Sequence, residues 1–445
     1  MYTLFKNATI VTMNKDRDVL SGSSVLIKGN IILGIGREED LKKICGYGKD
    51  VRIVECSRKI ILPGFINAHT HVAMSLFKGL GHVSNKHIFS YMFPIEQHLN
   101  AEAVHLLSLV GLLETMRSGV TCVCDHYYFI DAVASAILKV GMRGVLGHAI
   151  MDLRGPYVKR KEKEYNNAIS FLDKYANHPT IKPFLAPHAT DTVSDKFLAE
   201  IIREAGRRKC LVHMHVSQTK SEYDAARRKK STPARLLANS GAFSQRFLAA
   251  HCIYLTPQDI KLLKNNNVNV VVTPSSEQAY EQLPPIRELH KAGVNIALGT
   301  DCVATADTMD IMHEMKVFYY LLLAKYNRRF LLSPADILAM VTINAAKAVG
   351  LEGQVGSVEV GKCADLVIMN TESPDFHPSY DIYSSIVLSA SRANIEQVIV
   401  SGRTIYQNNT VLLVNEMDLL TKVEKLILKE VKRIKALEKT IKNIL

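Results

Sequence analysis

Residues 62–71 of the chain read LPGFINAHTH, an apolar run that ends in two histidines separated by one threonine. The run completes a candidate strand at 60–68. Alternate residues of a strand face the same side, so His69 and His71 can meet one ion. Imidazole nitrogens are ligands that Zn²⁺ and Fe²⁺ accept. The segment therefore predicts a buried strand whose end contributes two ligands to a metal centre.

Seven further apolar runs follow this segment, each separated from the next by a stretch long enough for a helix. Such alternation is typical of β–α units around a parallel sheet. Eight units predict an α/β fold, a (β/α)8 barrel of the TIM type. An open doubly wound sheet is the alternative, but no glycine-rich phosphate loop follows the first strand. The candidate strands are 60–68, 119–125, 143–150, 181–187, 210–216, 247–251, 268–273 and 295–300.

Polar side chains also end four more of these strands. The fourth ends at His188, the fifth carries His213 and His215, the sixth ends at His251 and the eighth at Asp301. In a (β/α)8 barrel the carboxyl ends of the strands converge around one axis, where function collects. One histidine at such a place is more often a core residue. Four strand ends with histidine and one with aspartate predict a metal-binding centre.

The composition excludes several classes of protein. The 445 residues include 55 lysines and arginines against 43 aspartates and glutamates, a formal net charge of +12. The basic residues lie in short runs without interleaved aromatics, which predicts solvated helix faces rather than a nucleic-acid surface. No apolar run has the length of a membrane span, and the first residues lack the order of a signal peptide. We therefore expect a cytoplasmic protein whose eight cysteines are reduced thiols.

Short strands flank the predicted barrel, which we place at 59–354. Residues 1–58 and 355–415 read as β units separated by glycine and charged turns. Residues 416–445 predict a charged amphipathic helix with an apolar residue at every seventh position. This repeat is brief, so a helix laid on the protein's own surface is favoured over a short coiled-coil contact. The repeating positions are Leu420, Ile427, Ile434 and Ile441.

Several motifs together point to a known family. Residues 62–71 resemble the first metal motif of the amidohydrolase superfamily, and His215, His251 and Asp301 follow in its order. Residues 356–366 (GSVEVGKCADL) resemble the hairpin that closes its barrel and re-enters its small β-sandwich, which implies a sandwich built from both chain ends. The chain looks most like the 5′-methylthioadenosine/S-adenosylhomocysteine deaminase and chlorohydrolase group. The motifs that carry this likeness lie at 74–79, 94–96, 141–143, 186–188 and 250–252.

The resemblance implies one divalent metal ion, with Zn²⁺ the first choice and Fe²⁺ the alternative. The fourth strand ends in His188 rather than in a lysine that could be carboxylated to bridge two ions, so a mononuclear centre is expected. Asp301 would take a proton from the activated water. His251 would orient that nucleophile and stabilise charge on the tetrahedral carbon. The implied ligands are His69, His71, His215 and Asp301.

The resemblance also implies contacts to a small-molecule substrate. Glu96 matches a glutamate that holds ribose hydroxyls in the resembling deaminases; the other interpretation is a helix-surface carboxylate. His188 is expected to touch the substrate or assist. An arginine expected five residues beyond Arg143 is His148 here. Arg154 is a candidate to replace it as an anion contact; the other interpretation is a solvated loop arginine.

One position departs from the pattern of the aromatic-amine deaminases, which carry a glutamate three residues after the fifth-strand histidine. This chain has Gln218 there. Glutamine cannot transfer a proton, although its amide donates hydrogen bonds, and a positioned acid is worth roughly 10²–10⁴-fold in rate. Glu222 is a candidate substitute; a solvated helix charge is the other interpretation. The segments 273–277 and 302–307 also differ from the family pattern.

The sequence therefore predicts a metal-dependent hydrolase. The first hypothesis is hydrolytic deamination of a purine nucleoside or related N-heterocycle, in which Gln218 acts without transferring a proton. The second is hydrolysis of another C–N or a C–halogen bond, where a neutral glutamine suffices if the leaving group needs no protonation. The third is a silenced binding protein of the same architecture, against which the intact ligand set argues. Homo-oligomerisation is a family-level expectation.

Overall fold

The computed structural model describes residues 2–45, 51–79, 92–278, 282–330 and 332–428. Within these ranges the chain forms two β-sheets, one of nine strands and one of eight. No helix of these ranges is long and apolar enough to cross a membrane.

The nine-stranded sheet takes its strands from both ends of the described chain, and the eight-stranded sheet takes them from the middle. In chain order, the strands are β1 (Tyr2–Val11), β2 (Val19–Lys28), β3 (Ile31–Gly36), β4 (Val51–Glu55), β5 (Lys59–Pro63), β6 (Phe65–Thr70), β7 (Val120–Tyr127), β8 (Arg143–Ile150), β9 (Ile181–Pro187), β10 (Val212–Val216), β11 (Phe247–His251), β12 (Asn269–Val272), β13 (Ile296–Leu298), β14 (Leu366–Asn370), β15 (Ile395–Val400), β16 (Arg403–Gln407) and β17 (Thr410–Val411).

Helices follow the strands of the eight-stranded sheet. Several begin where a polar side chain accepts a hydrogen bond from a backbone N–H in the first turn, as at Ser194, Thr219 and Thr256. The helices are α1 (Glu38–Cys45), α2 (Phe93–Glu96), α3 (Ala101–Met116), α4 (Ile130–Val140), α5 (Lys161–Tyr175), α6 (Asp195–Arg208), α7 (Lys220–Arg228), α8 (Pro233–Asn239), α9 (Pro257–Asn265), α10 (Pro274–Gln278), α11 (Ile286–Lys291), α12 (Val303–Ala306), α13 (Ile311–Tyr326), α14 (Pro334–Met340), α15 (Ile343–Val349) and α16 (Ile382–Ser384).

Strands β6 to β13 are parallel and lie side by side in chain order. The first and last of them are joined, because the backbone N–H groups of Thr300 and Asp301 donate to the carbonyl oxygen of His69 at 3.1 and 3.0 Å. Gly299 permits this approach, since a Cβ there would lie 2.5 Å from the same oxygen. The sheet closes into a barrel, so the predicted (β/α)8 fold is confirmed and the open-sheet alternative is wrong.

Helix α15 covers the amino-terminal end of the barrel. The Asn344 side chain donates to the carbonyl oxygen of Ile296 at the start of β13, and Ile66 near the start of β6 donates its N–H to the carbonyl of Val341. Alanines of α15 pack into the apolar interior formed by the strands. Because this end is filled, only the carboxyl ends of the strands remain as a mouth.

The mixed sheet has the order β17-β16-β15-β14-β5-β1-β2-β3, and β4 also pairs with β1. The strand predicted at 60–68 is divided, since β5 pairs with β1 and β14 whereas β6 begins the barrel. Gly64 stands between them, where a Cβ would lie 2.2 Å from the Thr121 side chain. A single strand was the wrong interpretation, because the chain crosses between sheets at a residue with no room for a side chain.

A buried ion pair joins the two sheets. Arg143, the first residue of β8, donates to both carboxylate oxygens of Asp365 at 2.9 and 3.1 Å. Asp365 directly precedes β14, so this bidentate pair fixes the mixed sheet against the barrel wall. Both residues belong to motifs that carried the family resemblance, and the structure gives them a role in the fold.

The helical residues 416–428 lie against the protein surface. Leu419 and Val423 are buried in the main apolar core, whereas Leu420, the first residue of the predicted sevenfold repeat, is 38% exposed. Arg117 at the end of α3 forms an ion pair with Glu416. Ile427 of the predicted repeat is partly buried and packs against the same core, so the packing face includes Ile427 but not Leu420. Ile434 and Ile441 lie outside the described residues.

Candidate metal centre and active site

The open mouth of the barrel brings together histidines and one aspartate from separate strands. Five of these residues, His71, His126, His188, His215 and Asp301, line a cavity together with thioether and aromatic side chains. A recess in which a few polar groups converge beside apolar side chains is typical of a small-molecule site. The histidines and the aspartate at the mouth are His69, His71, His126, His188, His215, His251 and Asp301.

The protons of two imidazoles can be assigned from their partners. His71 Nδ1 donates to the carbonyl oxygen of His126 at 2.9 Å, and His215 Nδ1 donates to the carbonyl oxygen of His188 at 3.0 Å. A carbonyl oxygen only accepts, so both protons lie on Nδ1. The two Nε2 atoms face each other at 3.4 Å. Two lone pairs at this distance repel each other unless a cation lies between them.

His213 assigns the proton of His69 in the same way. His213 Nδ1 donates to the carbonyl oxygen of Leu248 at 2.9 Å, which leaves its Nε2 to accept from His69 Nδ1 at 2.8 Å. His69 Nε2 is buried and has no hydrogen-bond partner among the described residues. The sequence showed His213 inside the fifth strand but gave no reason to assign it a role. The structure makes it the residue that orients His69.

Asp301, which follows the last barrel strand, adds a carboxylate to this group. Its Oδ1 lies 3.4 Å from His71 Nε2 and 3.6 Å from His69 Nε2. Its Oδ2 accepts a hydrogen bond from Ser276 Oγ at 2.6 Å. The backbone of Asp301 is left-handed, with φ of 56°, which aspartate tolerates better than most residues. This turn directs the carboxylate toward the histidines as the strand ends.

The separations of these atoms fit a divalent metal ion. Two ligands at about 2.1 Å from a tetrahedral ion lie about 3.4 Å apart. Three separations match that value: His71 Nε2 lies 3.4 Å from both His215 Nε2 and Asp301 Oδ1, and His69 Nε2 lies 3.6 Å from the same Asp301 oxygen. Three imidazole Nε2 atoms and one carboxylate oxygen face each other, and no proton lies between them to form a hydrogen bond. A divalent metal ion therefore fits the centre. His69, His71 and Asp301 form one group of possible ligands and His215 lies beside His71, so these four residues are the candidate ligands.

Burial favours the neutral imidazole that a metal requires. It lowers the pKa of His69 to about 4 and the pKa of His188 to about 3. In His71, burial also lowers the pKa, but the contact with the Asp301 carboxylate outweighs it and the pKa is raised. Burial alone would raise the pKa of Asp301, but its contacts with His69 and His71 outweigh this effect and hold that pKa well below its usual range. The carboxylate is therefore ionised at neutral pH.

His251 lies beside the candidate ligands. Its Nδ1 is 3.2 Å from Thr273 Oγ1, and its Nε2 lies 4.0 Å from Asp301 Oδ2. In the described part of the chain this Nε2 has no hydrogen-bond partner, although it is buried. Burial lowers the pKa of His251 to about 4. A neutral ring is thus directed toward the space next to Asp301.

Besides Asp301, three of the residues predicted to contact substrate or take part in catalysis line the cavity: Glu96, His188 and Gln218. Glu96 is 2% exposed, so the interpretation as a helix-surface carboxylate is wrong. Tyr127 donates its hydroxyl to Glu96 Oε1 at 2.6 Å, and burial raises the pKa of Glu96 to about 7. His188 Nδ1 lies 3.0 Å from Thr192 Oγ1.

Two predicted substrate contacts are not among the described residues that line the cavity. His148 Nε2 lies 2.8 Å from Glu164 Oε2, so its ring pairs with helix α5 instead. Arg154 is exposed and faces the charge of Asp191. The spacing from Arg143 suggested these positions, but strand β8 directs His148 outward, toward α5.

Glu222 is not the solvated charge that its place at the start of α7 suggested. It is buried, its Oε2 accepts the N–H of Gln218 at 2.9 Å, and its Oε1 accepts from Thr190 Oγ1 at 2.6 Å. Burial raises its pKa to about 7. Glu222 supports the backbone of Gln218 from behind and does not line the cavity among the described residues.

Sequence reasoning missed His126 entirely. It lies one residue beyond the predicted second strand, on β7, and it lines the cavity. Its ring is within 4.8 Å, centroid to centroid, of the ring of His71. The predicted strand ended at Asp125, and extending it by one residue would have added a histidine to the strand ends already noted.

Comparison with known proteins identifies the family. The sequence pattern of the amidohydrolase family matches residues 60–405. The chain belongs to the amidohydrolase family. The 5-methylthioadenosine/S-adenosylhomocysteine deaminase of Thermoanaerobacter pseudethanolicus is 32% identical over 437 residues, which cover 96% of this chain and 98% of that protein. The 5′-deoxyadenosine deaminase of Methanosarcina acetivorans is 32% identical over 93% of this chain and 94% of its own.

This amidohydrolase is also similar to a solved structure. The crystal structure of an adenosine deaminase from Xanthomonas campestris with bound zinc superposes with a TM-score of 0.90 and 26% identity, covering 98% of each chain. The resemblance expected from the metal motifs is thereby confirmed, as is the prediction of a hydrolase. A divalent metal ion is consistent with both the family and the geometry.

Proposed function

We propose that this amidohydrolase hydrolytically deaminates an adenosine-type nucleoside, releasing ammonia and leaving a 6-oxopurine. Relatives that match nearly the whole chain are named as deaminases of 5-methylthioadenosine and S-adenosylhomocysteine or of 5′-deoxyadenosine. The observation that carries the proposal is the convergence of three histidine Nε2 atoms and the Asp301 carboxylate at the mouth of the barrel, beside a cavity lined by polar and apolar side chains.

Zinc is the ion that we propose for this centre. Three imidazoles and one carboxylate form a donor set that zinc accepts, and the 3.4 to 3.6 Å separations suit its tetrahedral geometry. When bound, such an ion lowers the pKa of a coordinated water and polarises the group under attack. Ser276 holds the Asp301 carboxylate and His213 holds the His69 ring in the orientation that this centre needs.

Asp301 is the candidate general base. Its low pKa keeps Oδ2 ionised, and Ser276 fixes the rotation of the carboxylate. Oδ2 lies on the His251 side, 4.0 Å from His251 Nε2. A water molecule in this space can pass its proton to Oδ2 while His251 orients the oxygen and stabilises its charge.

Gln218 takes the place of the expected acid at the cavity wall. Its amide can hold a purine ring nitrogen by a hydrogen bond but cannot protonate it. Glu222 does not supply the missing proton directly, because its two oxygens face the Gln218 N–H and Thr190. We infer that Asp301 returns the proton it has accepted to the departing amine.

The remaining cavity wall fits a nucleoside with a 5′ substituent. Glu96 is held by Tyr127 and can accept a hydrogen bond from a ribose hydroxyl. Met74, Met92 and Phe93 supply an apolar surface suited to a purine face or a thioether. These contacts favour a nucleoside over a small halogenated ring.

Ammonia release by zinc-reconstituted protein tests the proposal. The panel is adenosine, 5′-methylthioadenosine, S-adenosylhomocysteine, 5′-deoxyadenosine, guanine and an aminopterin, with chelated protein as the control. We expect ammonia and an ultraviolet shift from at least one adenosine compound. A zinc-loaded protein that releases none from any of them would refute deamination and favour hydrolysis of another bond.

A further inference from the structure

The His126 ring is buried beside the metal centre without a hydrogen-bond partner. The residue is 2% exposed, and neither Nδ1 nor Nε2 has a partner among the residues that the structure describes. A neutral imidazole has one N–H to donate and one lone pair to share. Buried polar atoms are nearly always satisfied, so an imidazole with two unpaired nitrogens implies a ligand.

Imidazoles of the site lie close to this ring. Its centroid lies 4.6 Å from that of His215, 4.8 Å from that of His71 and 5.3 Å from that of His213. His71 and His215 have already given their Nδ1 protons to backbone carbonyls, so neither has a proton to offer the lone pair of His126. His213 likewise uses Nδ1 on Leu248 and Nε2 on His69.

Ligand atoms of His71, His126 and His215 lie within 4.8 Å of one another, which is close enough to surround one ion. Two other groups share residues with it: His69, His71 and Asp301, and His69, His215 and His251. Each Nε2 has one lone pair and cannot bind two ions at once, so the shared residues place all three groups around one ion position. His251 Nε2 faces the space beside Asp301 Oδ2, at 4.0 Å, which leaves His126 as the unassigned donor.

We propose that His126 is a further protein ligand of the divalent ion, beyond the four residues that the family motifs supply. The inference rests on the proposed metal centre but not on the choice of substrate. Strand β7 then serves the ion twice. The backbone carbonyl of His126 orients His71, and its own ring binds beside it.

Cobalt-substituted wild-type protein gives a direct count of the ligands. X-ray absorption at the cobalt edge distinguishes three coordinated imidazoles from four through their multiple-scattering pattern. We expect four imidazoles. Three would overturn the proposal, and this measurement needs no variant that must fold. Wild-type protein that binds no cobalt would overturn the proposal together with the metal centre itself.

The variant His126→Met replaces the imidazole ring with an apolar side chain that suits a buried position. Losing a residue that merely orients a ligand weakens metal binding roughly 10- to 100-fold, so losing a ligand should weaken zinc binding at least about tenfold and change the cobalt d–d bands. His105→Met is the matched control, because His105 is half-buried on α3 and bonds to the carbonyl of Ala132. We expect wild-type binding and spectrum from it.

Wild-type zinc affinity and an unchanged cobalt spectrum in His126→Met would overturn the proposal. The result is separable from the proposed reaction. Four coordinated imidazoles that fall to three in His126→Met, in a protein that releases no ammonia from any nucleoside, would leave His126 a ligand and refute deamination alone.

Discussion

Gln218 lines the cavity three residues after His215, and its replacement by glutamate places a proton donor at that wall. The acid that this change restores is worth roughly 10²–10⁴-fold in rate, or about 3 to 5 kcal/mol of transition-state stabilisation. We therefore expect Gln218→Glu to raise the deamination rate. The net gain in rate depends on the free-energy cost of placing a second carboxyl group in these surroundings.

The carboxyl group of Glu222 sets that free-energy cost. Glu222 Oε2 accepts the N–H of residue 218 at 2.9 Å, so a second carboxylate would lie close to the first. The pKa of Glu222 is already about 7, since the group is buried. Keeping Glu222 protonated at pH 7 then costs only about 0.4 kcal/mol, the free energy of shifting a half-titrated group. The net gain remains at least about tenfold.

The assay is kcat/KM for ammonia release from the best nucleoside of the panel, measured on zinc-loaded protein between pH 5 and 9. Gln218→Met is the matched control, because it removes the amide without adding an acid, and it should lower the rate. An unchanged or lower rate in Gln218→Glu, at full zinc occupancy, would show that Gln218 does not stand where an acid is missing.

Three further changes test other parts of the site. Asp301→Asn should lower ammonia release at least about 100-fold while circular dichroism stays native, because asparagine also tolerates the φ of 56°; normal turnover would refute the base assignment. His213→Phe should weaken zinc binding roughly 10- to 100-fold in a chelator competition, since His69 loses its partner; unaltered affinity would contradict that role. In Glu96→Gln, the metal-free protein should lose a pH dependence of its stability. The wild-type carboxyl has a pKa raised from 4.5 to about 7, so the free energy of unfolding falls as pH rises through this range, by about 3 kcal/mol at most. If the free energy of unfolding had the same pH profile in both proteins, the raised pKa of Glu96 would be refuted.

The barrel could be predicted because its strands read as separate apolar runs with polar ends. The predicted boundaries of most barrel strands agree with the structure to within two residues. The first strand is the exception, because the chain crosses between the two sheets at Gly64. Residues 60–66 are continuously apolar, so periodicity alone could not divide them. The division depends on the contact of Gly64 with Thr121, which is far along the chain.

The candidate ligands could also be predicted, since each stands at a strand end. The residues that contact these ligands, Ser276 and His213, could not, and neither could the place of His126 beside them, because only the closed barrel sets the distances. His148 and Arg154 were predicted by spacing along one strand and its loop, and spacing does not report which neighbouring helix a side chain will meet.

The seam of the barrel lies between His69 and Asp301. Thr70 donates its hydroxyl to the carbonyl of Asp301, 231 positions further along the chain, and the candidate ligands lie on both sides of this junction. A folding intermediate or fragment that lacks the last strand holds His69 and His71 but has no carboxylate to complete the group. Ion binding is therefore a reporter of barrel completion. At 100 times its dissociation constant, an ion that binds only the closed form stabilises it by about 2.7 kcal/mol.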